Sequence, residues 1–355
     1  MHSDTLRTSE TAVPHSRPTL GEEEVAAVSR VIASGRVAQG EKVRKFEEDL
    51  ARFAGRKGAA AVSSGTAGLV LALAVLGAGP EREVIIPSYV CTALFHAVRQ
   101  VGAVPVLADA DPATGNLDPE DVEQKITKKT VALIVPHMFG LMADMDRLSK
   151  LGVPVIEDCA QAIGAKSGAG PAGSGGVLSV FSFYATKVIC TGEGGMVASD
   201  SEDLLERVRD LRDYDEKPDL RVRCNYKMTD MAAAMGIVQL RRLIGFLAAR
   251  AEIAKKYDRA FAPLEASLPP NDPGRIYFRY VLGLPGEAGE AAAALRARGI
   301  SCARPVFRPL HSYLGLAGFA NTERLWRSSL SVPIHPSLSE EDCGRVIAAV
   351  TEVLG

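Results

Sequence analysis

Short apolar runs alternate with helical segments from about residue 56 onwards, and this alternation restricts the fold more than any other feature. Four of the runs lie at residues 84–86, 104–107, 131–135 and 153–156. Each is continuously apolar, as a strand buried on both faces of a sheet is, and the stretch 89–101 is predicted to be helical. Strands separated by helices favour βα units stacked into a mostly parallel sheet. The sequence therefore predicts an α/β fold.

The length of the chain, 355 residues, suits one large domain and one smaller domain. We assign residues 15–242 to a large α/β domain with a mostly parallel sheet and residues 243–355 to a small C-terminal α+β domain. Methionines at helical spacing from Met228 open a helix that is predicted to run towards Tyr257 and leave the first domain. The second domain has a strand candidate at 277–282 and a final amphipathic helix at 340–354.

Charge and cysteine usage exclude several kinds of partner. The 41 basic and 43 acidic side chains give a formal net charge of −2, so neither nucleic acid nor a membrane surface is expected as a partner. The six cysteines are scattered singly, which predicts reduced thiols, no metal site and a cytoplasmic location. Residues 1–17 are predicted to be a flexible polar lead-in without a secretory signal. The most apolar stretch, 69–79, is shorter than the roughly 18 residues that span a bilayer.

A turn rich in serine and glycine follows the apolar run at 59–62 and precedes a helical stretch. It reads Ser63-Ser64-Gly65-Thr66-Ala67-Gly68. At a helix N-terminus, free N–H groups and the helix dipole attract phosphate, and glycine lets the anion approach the backbone closely. The turn is a candidate phosphate site, and a glycine-serine turn without a ligand is the alternative when these residues are taken alone.

Two acids and a glutamine come directly after the apolar run at 153–156. They belong to the sequence Glu157-Asp158-Cys159-Ala160-Gln161. In open α/β sheets, ligands bind at the edge where the parallel strands end. A carboxylate at that edge can pair with the protonated nitrogen of a pyridine ring, and Asp158 is the candidate for this role. A helix N-cap is the alternative for Asp158.

A lysine, Lys187, follows the apolar run at 177–183 and precedes a glycine-rich turn at 192–195. Because lysine is costly to bury without a partner, such a lysine either reaches solvent or acts as a nucleophilic amine. A phosphate cradle, an acid and a lysine, in this order, are together the parts of a site for pyridoxal 5′-phosphate (PLP).

Further motifs follow in order along most of the chain. They are Arg17-Pro18-Thr19-Leu20, Ser34-Gly35-Arg36, Gly40, Phe46-Glu47, Pro87-Ser88, Pro136-His137-Met138-Phe139-Gly140, Phe181-Ser182-Phe183, Asn225-Tyr226-Lys227-Met228-Thr229-Asp230 and Pro333-Ile334-His335-Pro336. With the three signals above, their number and order resemble the DegT/DnrJ/EryC1/StrS family of sugar aminotransferases. The resemblance implies the fold type I architecture of PLP enzymes.

The resemblance also implies a role for each matching residue. Lys187 would form the Schiff base with PLP and move a proton between the substrate Cα and the cofactor C4′. Asp158 would face the pyridine nitrogen, and Gln161 would contact the cofactor ring or its phenolic oxygen.

Other matching residues would bind the phosphate of the cofactor. Gly65, Thr66 and Ser182 would hold it from within the subunit. Asn225 would reach the phosphate in the neighbouring subunit, so the resemblance implies a homodimer with shared active sites.

Several positions depart from the family pattern. Cys91 stands where the family has an aromatic residue that stacks on the cofactor, and Tyr89 would replace that residue only if the following helix began later. Val188 replaces an asparagine after the lysine, so we expect a local change in the pocket. The glycine-rich run 167–176 lacks the G-K-[ST] ending of a nucleotide loop and is expected to be a flexible loop near the site.

The second domain departs as well, since Arg279 lies in a strand where a histidine and an aromatic residue are common. A surface position on an edge strand is preferred for Arg279, and a contact with a phosphate or carboxylate of the substrate is the alternative. His137, His311 and His335 either line the pocket or are structural.

The sequence therefore predicts a PLP-dependent aminotransferase. The resemblance implies that the amino group comes from glutamate and goes to a keto sugar attached to a nucleotide. Two alternatives stay open, a lyase or desulfurase of the same fold type and a regulatory protein that binds PLP without turnover.

Overall fold

The computed structural model describes residues 12–355 and confirms the α/β fold. The α-helices in this part of the chain are α1 (Glu22–Ser34), α2 (Glu41–Ala54), α3 (Gly65–Val75), α4 (Ala93–Gln100), α5 (Pro119–Lys125), α6 (Met145–Leu148), α7 (Glu202–Leu211), α8 (Asp230–Phe261), α9 (Ala288–Ala297), α10 (Leu310–Leu314), α11 (Ala320–Ser328) and α12 (Glu340–Leu354). Two short 3₁₀ helices cover Met138–Gly140 and Ser149–Leu151.

The strands alternate with the helices as the sequence predicts. They are β1 (Gly58–Val62), β2 (Glu83–Pro87), β3 (Val104–Ala108), β4 (Thr130–Pro136), β5 (Val155–Asp158), β6 (Lys166–Ser167), β7 (Gly170–Pro171), β8 (Leu178–Ser182), β9 (Gly195–Ser199), β10 (Tyr280–Gly283) and β11 (Ser329–Val332).

A seven-stranded sheet with the order β1-β9-β8-β5-β4-β2-β3 forms the centre of the molecule. The pairs from β8 to β3 are parallel, whereas β9 is antiparallel to both of its neighbours. The mostly parallel sheet is therefore confirmed. Because β9 runs the opposite way, its first residue lies beside the last residues of β1 and β8.

Both faces of this sheet are covered by helices. Along β1, Ala60 and Val62 pack with α3, α4 and α7, while Ala59 and Ala61 pack with α2 and α8. Side chains of a strand point alternately to the two faces, so each strand contributes to both cores. This arrangement explains why the strands read as continuous apolar runs.

The C-terminal residues build a separate hydrophobic core. The antiparallel strands β10 and β11 pack with α9, α12 and the C-terminal half of α8. The division between residues 15–242 and 243–355 stays a prediction, since α8 runs through residue 243 without a break.

The segment around Val13 is fixed rather than flexible. Its N–H donates to the carbonyl of Gly299 at 2.8 Å, and its carbonyl accepts from the N–H of Ser301 at 3.0 Å. Val13 is also buried in the C-terminal core. The prediction of a flexible lead-in is therefore wrong for this segment, and its first 11 residues lie outside the described residues.

The helix predicted over 89–101 begins later than expected. Residues 88–92 form a turn instead, in which the N–H of Ser88 donates to Ala108 and the N–H of Val90 donates to Ser88. The first helical residue is Ala93. The turn is favoured because it buries Tyr89 completely.

One helix among the described residues, α8, is long and apolar enough to cross a membrane by length and composition, with a mean hydropathy of 1.4 in its most apolar window. The core helix of a globular protein passes the same test. In this structure α8 packs against α1 and α2, and its Arg242 forms an ion pair with Glu24.

Two glycines of α8 give a matched test of this packing. A Cβ on Gly236 would lie 2.6 Å from the ring of Phe46, whereas a Cβ on Gly245 would meet nothing within 4 Å. We expect Gly236→Ala to lower the free energy of unfolding by about 1–3 kcal/mol through overpacking. Gly245→Ala should leave it unchanged or raise it by about 1 kcal/mol, because alanine favours the helix.

Urea unfolding followed by circular dichroism would measure both changes. If Gly236→Ala were at least as stable as Gly245→Ala, the close packing of α2 on α8 would be contradicted.

Candidate active site

The candidate residues converge where β1, β5 and β8 end. Asp158 is the last residue of β5 and lies beside Val180 of β8 in the sheet register. Ser182 ends β8 and lies beside Gly195, the first residue of β9. Val62, at the end of β1, also pairs with Gly195. The sheet order thus brings the acid, the serine and the turn before α3 to one edge.

The turn before α3 leaves backbone donors free. Ser64 caps the helix, and its Oγ accepts the N–H of Ala67 at 3.1 Å. The N–H groups of Gly65 and Thr66 precede the first donor that a helix can pair internally. The Ser182 hydroxyl lies alongside, since a Cβ on Gly65 would be 3.1 Å from its Oγ. Gly65, Thr66 and Ser182 therefore form a cradle of donors that suits a phosphate.

Gly195 is a component of this cradle whose role the sequence interpretation missed. A Cβ there would lie 2.5 Å from the carbonyl of Ser64 and 2.7 Å from the N–H of Gly65. Only glycine lets the turn before α3 approach β9 so closely. The glycine-rich run at 192–195 was the available signal, but its partner is distant in sequence.

Asp158 is buried at this edge. β5 is followed by a turn rather than a helix, so the N-cap alternative is wrong. One carboxylate oxygen accepts the N–H of Ala160 at 3.0 Å. Burial raises the pKa of Asp158, although this N–H and the charge of Lys187 act against the shift. A cationic partner at the other oxygen would stabilise the carboxylate.

Gln161 lies in the turn after β5, three residues beyond Asp158, and keeps one donor group available. Its Oε1 accepts the N–H of Phe139 at 3.0 Å. The amide Nε2 forms no hydrogen bond with any part of the chain from residue 12 onwards. It can therefore donate to an oxygen of a ligand.

Lys187 lies in the loop between β8 and β9. Hydrogen bonds from Phe183 to Gly194 and from Thr191 to Phe183 close this loop. The Nζ atom of Lys187 lies 5.5 Å from the ring centroid of Phe278. Burial lowers the pKa of Lys187, the charges of Asp158 and Cys91 oppose the shift, and that of Arg279 adds to it. The amine is thus more nucleophilic than that of an exposed lysine.

Val188, after the lysine, is buried in the core with α2 and α8. It anchors the loop that carries Lys187. The sequence interpretation expected a change in the pocket here, and the structure places this side chain in the core instead.

Glu157 contrasts with its neighbour Asp158. Its completely buried carboxylate accepts the N–H groups of Gly173 at 2.9 Å and of Gly175 and Gly176 at 2.5 Å. His137 donates to it at 2.9 Å, and Arg56 lies 3.7 Å away.

Burial alone would raise the pKa of Glu157, but the hydrogen bonds from His137 and the glycines keep it below its ordinary value. The glycine-rich run 167–176 is therefore a binding loop for a buried carboxylate. The expectation of a flexible loop is wrong for Gly173 to Gly176.

His137, Glu157 and Cys159 lie close enough together to suggest a metal site. Both nitrogens of His137 are already used, because Nε2 donates to Glu157 and Nδ1 accepts the N–H of Ala143 at 3.1 Å. The hydrogen bonds already formed by His137 and Glu157 explain the cluster without an ion.

His311 and His335, the other two histidines considered for the pocket, are also structural. His311 contacts the hydroxyl of Ser88 and the carboxylate of Glu323, each at 2.7 Å. His335 is buried, and its Nε2 donates to the carbonyl of Pro14 at 3.2 Å.

Cys91 stands at the position where the family has a stacking aromatic residue. Its side chain is exposed, and it lies near enough to influence Lys187. Tyr89 is completely buried and packs edge-on against Phe139, with 6.2 Å between the ring centroids. Although the helix begins later than predicted, Tyr89 does not replace the missing aromatic residue.

Asn225 lies in a loop that contacts the turn before α3, where the carbonyl of Tyr226 accepts the N–H of Ser63 at 2.7 Å. The loop is fastened by hydrogen bonds from Cys224 to Leu211 and from Tyr226 to Arg212. The Asn225 side chain between them is exposed and forms no hydrogen bond with the described residues.

Arg279 was expected on the surface, and this is wrong. It is half-buried, its guanidinium lies 4.9 Å from the ring of Phe278, and its Nη1 contacts His15 at 3.1 Å. The strand β10 begins only at Tyr280, because the carbonyls of Tyr277 and Phe278 accept from Arg250 instead.

These residues fit PLP. The cradle supplies donors for its phosphate, Asp158 an acceptor for its ring nitrogen, Gln161 a donor for its phenolic oxygen and Lys187 an amine for its aldehyde. The close approach of Gly65 and Gly195 to their neighbours is what a phosphate bound by backbone N–H groups requires. Fold and site together define the class, an α/β enzyme that uses PLP.

Comparison with known proteins agrees with this class. The model of the DegT/DnrJ/EryC1/StrS aminotransferase family matches residues 18–351. GDP-perosamine synthase of Caulobacter vibrioides is 36% identical over 337 residues, which cover 89% of this chain and 91% of that protein.

Solved structures are similar throughout. The aminotransferase TlmJ of Streptoalloteichus hindustanus superposes with a TM-score of 0.90 at 33% identity, covering 96% of this chain and 98% of TlmJ. The PLP form of Spr1654 from Streptococcus pneumoniae superposes with a TM-score of 0.89 at 25% identity, covering 97% of this chain and 100% of Spr1654.

The chain therefore belongs to the DegT/DnrJ/EryC1/StrS aminotransferase family. It is a PLP-dependent transaminase with the predicted fold type I architecture. This assignment decides against the lyase and the regulatory protein that the sequence left open.

Glu157 and Asp158 provide a test of their different roles. Glu157→Gln should lower the free energy of unfolding of the PLP-free protein by about 3 kcal/mol or more, because the glycine N–H groups and His137 lose an acceptor oxygen and Arg56 keeps only Asp200 as a carboxylate partner. Asp158→Asn should change it by less than about 1 kcal/mol, since it removes a charge that burial disfavours, while PLP affinity falls. Urea unfolding and a PLP titration would measure these effects. A stable Glu157→Gln protein would contradict the structural role of Glu157.

Proposed function

We propose that the protein transfers an amino group from glutamate to a keto sugar carried by a nucleotide. The observation that carries the proposal is the half-buried Lys187, whose amine lies at the same sheet edge as Asp158 and the phosphate cradle. The name of the relative in Caulobacter vibrioides, a synthase of a GDP-linked sugar, supports a nucleotide-sugar acceptor. The balance of charges and the absence of a basic block agree with a small-molecule substrate in the cytoplasm.

The residues of this chain divide the work. PLP, when bound, supplies an electron sink that stabilises negative charge at the substrate carbon. Asp158 would pair with the ring nitrogen and keep it protonated. Lys187 would hold the cofactor, and its amine, with a pKa lowered by burial, would accept and return the proton on the substrate carbon.

We further propose that two subunits form the working enzyme. Asn225 is exposed on a loop that also exposes Tyr214, Leu220 and Val222. Exposed apolar side chains grouped on one loop favour burial against another protein surface. A second copy of the chain would cover them and bring Asn225 to the neighbouring phosphate cradle.

The cofactor and the donor are tested by absorption spectroscopy. Wild-type protein with PLP should show a visible band that glutamate shifts to the amine form of the cofactor. Lys187→Ala should lack the lysine-dependent band, because no other amine replaces Nζ, and Lys166→Ala, which changes an exposed lysine, should behave as wild type. A band that glutamate leaves unchanged would exclude glutamate as the donor. A wild-type band that survives in Lys187→Ala would refute the role of Lys187.

Mixed dimers test the shared site. Lys187→Ala and Asn225→Ala proteins should each be weakly active, and unfolding and refolding them together should restore activity towards half that of wild type per mixed dimer. Activity returns because one of the two sites then has both Lys187 and a partner-supplied Asn225. If Asn225 served its own subunit, every site in the mixture would carry one lesion and activity would stay low. Remixed wild-type protein gives the reference value.

A further inference from the structure

Arg279 lies beside the reactive lysine without an acidic partner. Its guanidinium carbon is 4.9 Å from the centroid of the Phe278 ring, and Lys187 Nζ is 5.5 Å from the same centroid. The two cations therefore share one aromatic ring. Neither of them forms an ion pair with any carboxylate in residues 12–355. Two neighbouring cations with so little compensation repel each other unless an anion binds between them.

The surroundings of Arg279 add a further positive charge to this pair of cations. Arg250 is buried nearby, and within residues 12–355 its Nη1 donates to the carbonyls of Tyr277, Phe278 and Ile334 and to no carboxylate. Burial lowers the pKa of Arg279 to about 10, so the group is still cationic at neutral pH and only partly hydrated. A partly desolvated arginine binds a carboxylate or phosphate strongly, because its planar fork matches two oxygens.

His15 holds Arg279 in place. Arg279 Nη1 donates to His15 Nδ1 at 3.1 Å, which leaves His15 Nε2 to donate to the hydroxyl of Ser331 at 2.8 Å. Burial, and then the charge of Arg279, lower the pKa of His15 to about 3, so the ring is a neutral acceptor at neutral pH. The guanidinium is thus fixed from one side and keeps its other N–H groups for a ligand.

The position beside Lys187 identifies the anion. An amino donor must bring its nitrogen to the place of the lysine amine, and its α-carboxylate carbon follows two bonds later. The phosphates of a nucleotide sugar are separated from the keto carbon by more bonds, across the sugar ring. A cation that shares an aromatic ring with the lysine is therefore better placed for the carboxylate.

We propose that Arg279, held by His15, binds the α-carboxylate of the amino donor. The proposal rests on the proposed function, since it names the donor subsite of the same reaction. It makes Arg279 a specificity-determining residue for amino acids as donors, and His15 its positioning residue.

Binding of a non-reacting dicarboxylate tests the proposal without turnover. Calorimetry would measure the affinity of the PLP-loaded enzyme for glutarate and, separately, for GDP. Arg279→Gln should weaken glutarate binding on the order of 10- to 100-fold, as expected for the loss of hydrogen bonds between charged groups, and leave GDP binding unchanged. Arg259→Gln, at an exposed position on α8, should change neither. PLP affinity and melting temperature confirm that each variant is folded.

Rates with two donors separate the α-carboxylate from a side-chain carboxylate. Alanine carries only the α-carboxylate, so Arg279→Gln should lower kcat/KM by the same factor for alanine and glutamate. His15→Ala should raise KM for both donors and leave kcat unchanged, because it loosens Arg279 without touching the lysine.

Three results would overturn the proposal. The first is that glutarate binds Arg279→Gln as tightly as wild type, or does not bind wild type detectably. The second is that Arg279→Gln loses affinity for GDP and not for glutarate. The third is that Arg279→Gln lowers kcat/KM for glutamate and not for alanine. Failure of the proposed function gives a different result, because wild-type enzyme would then react with alanine and not glutamate, or with neither. The effect of Arg279→Gln on glutarate binding would still test the role of Arg279 in that case.

Discussion

The buried carboxylate of Glu157 fixes the part of the sheet on which the active site depends. It accepts hydrogen bonds from the N–H groups of three glycines in one loop and from a histidine that follows β4, and it forms an ion pair with Arg56. A charge without these partners would cost several kcal/mol to bury. Because they are all present, β5 and the loop at 173–176 are held together, and the next residue, Asp158, projects from a rigid strand end.

Neighbouring residues in this strand thus serve different purposes. Successive side chains of a strand point to opposite faces, so Glu157 faces the glycine loop while Asp158 faces the ligand edge. The same division occurs after β8, where Val188 is buried in the core and Lys187 remains beside the site. In both places, a residue fixed in the core is the direct neighbour of a reactive residue and holds it in position.

Much of this organisation follows from the sequence. Continuous apolar runs predicted the central strands, because a strand buried on both faces has apolar residues at successive positions and not only at alternate ones. The order of the turn at 63–68, Asp158 and Lys187 predicted the cofactor site, because the ends of parallel strands meet at one edge.

Other features depend on contacts that local sequence does not record. The antiparallel strand β9 is what brings Gly195 against Ser64. The turn at 88–92 delays α4 because Tyr89 is buried in the core. Arg279 was expected on the surface because its partners, Lys187, Arg250 and His15, are far away along the chain. The domain boundary and the shared role of Asn225 are still predictions.

The bridge between Val13 and Ile300 has a consequence for how the enzyme matures. Residues near 13 are made long before their partners at Gly299, Ser301 and Ser331. The sheet can form while synthesis continues, since domains fold as units, but His15 cannot contact Arg279 until residues near 279 have been made. A nascent or truncated chain can therefore assemble the cofactor cradle before it has a complete site around Arg279. Closure of this long loop is what joins His15 to Arg279 and to Ser331.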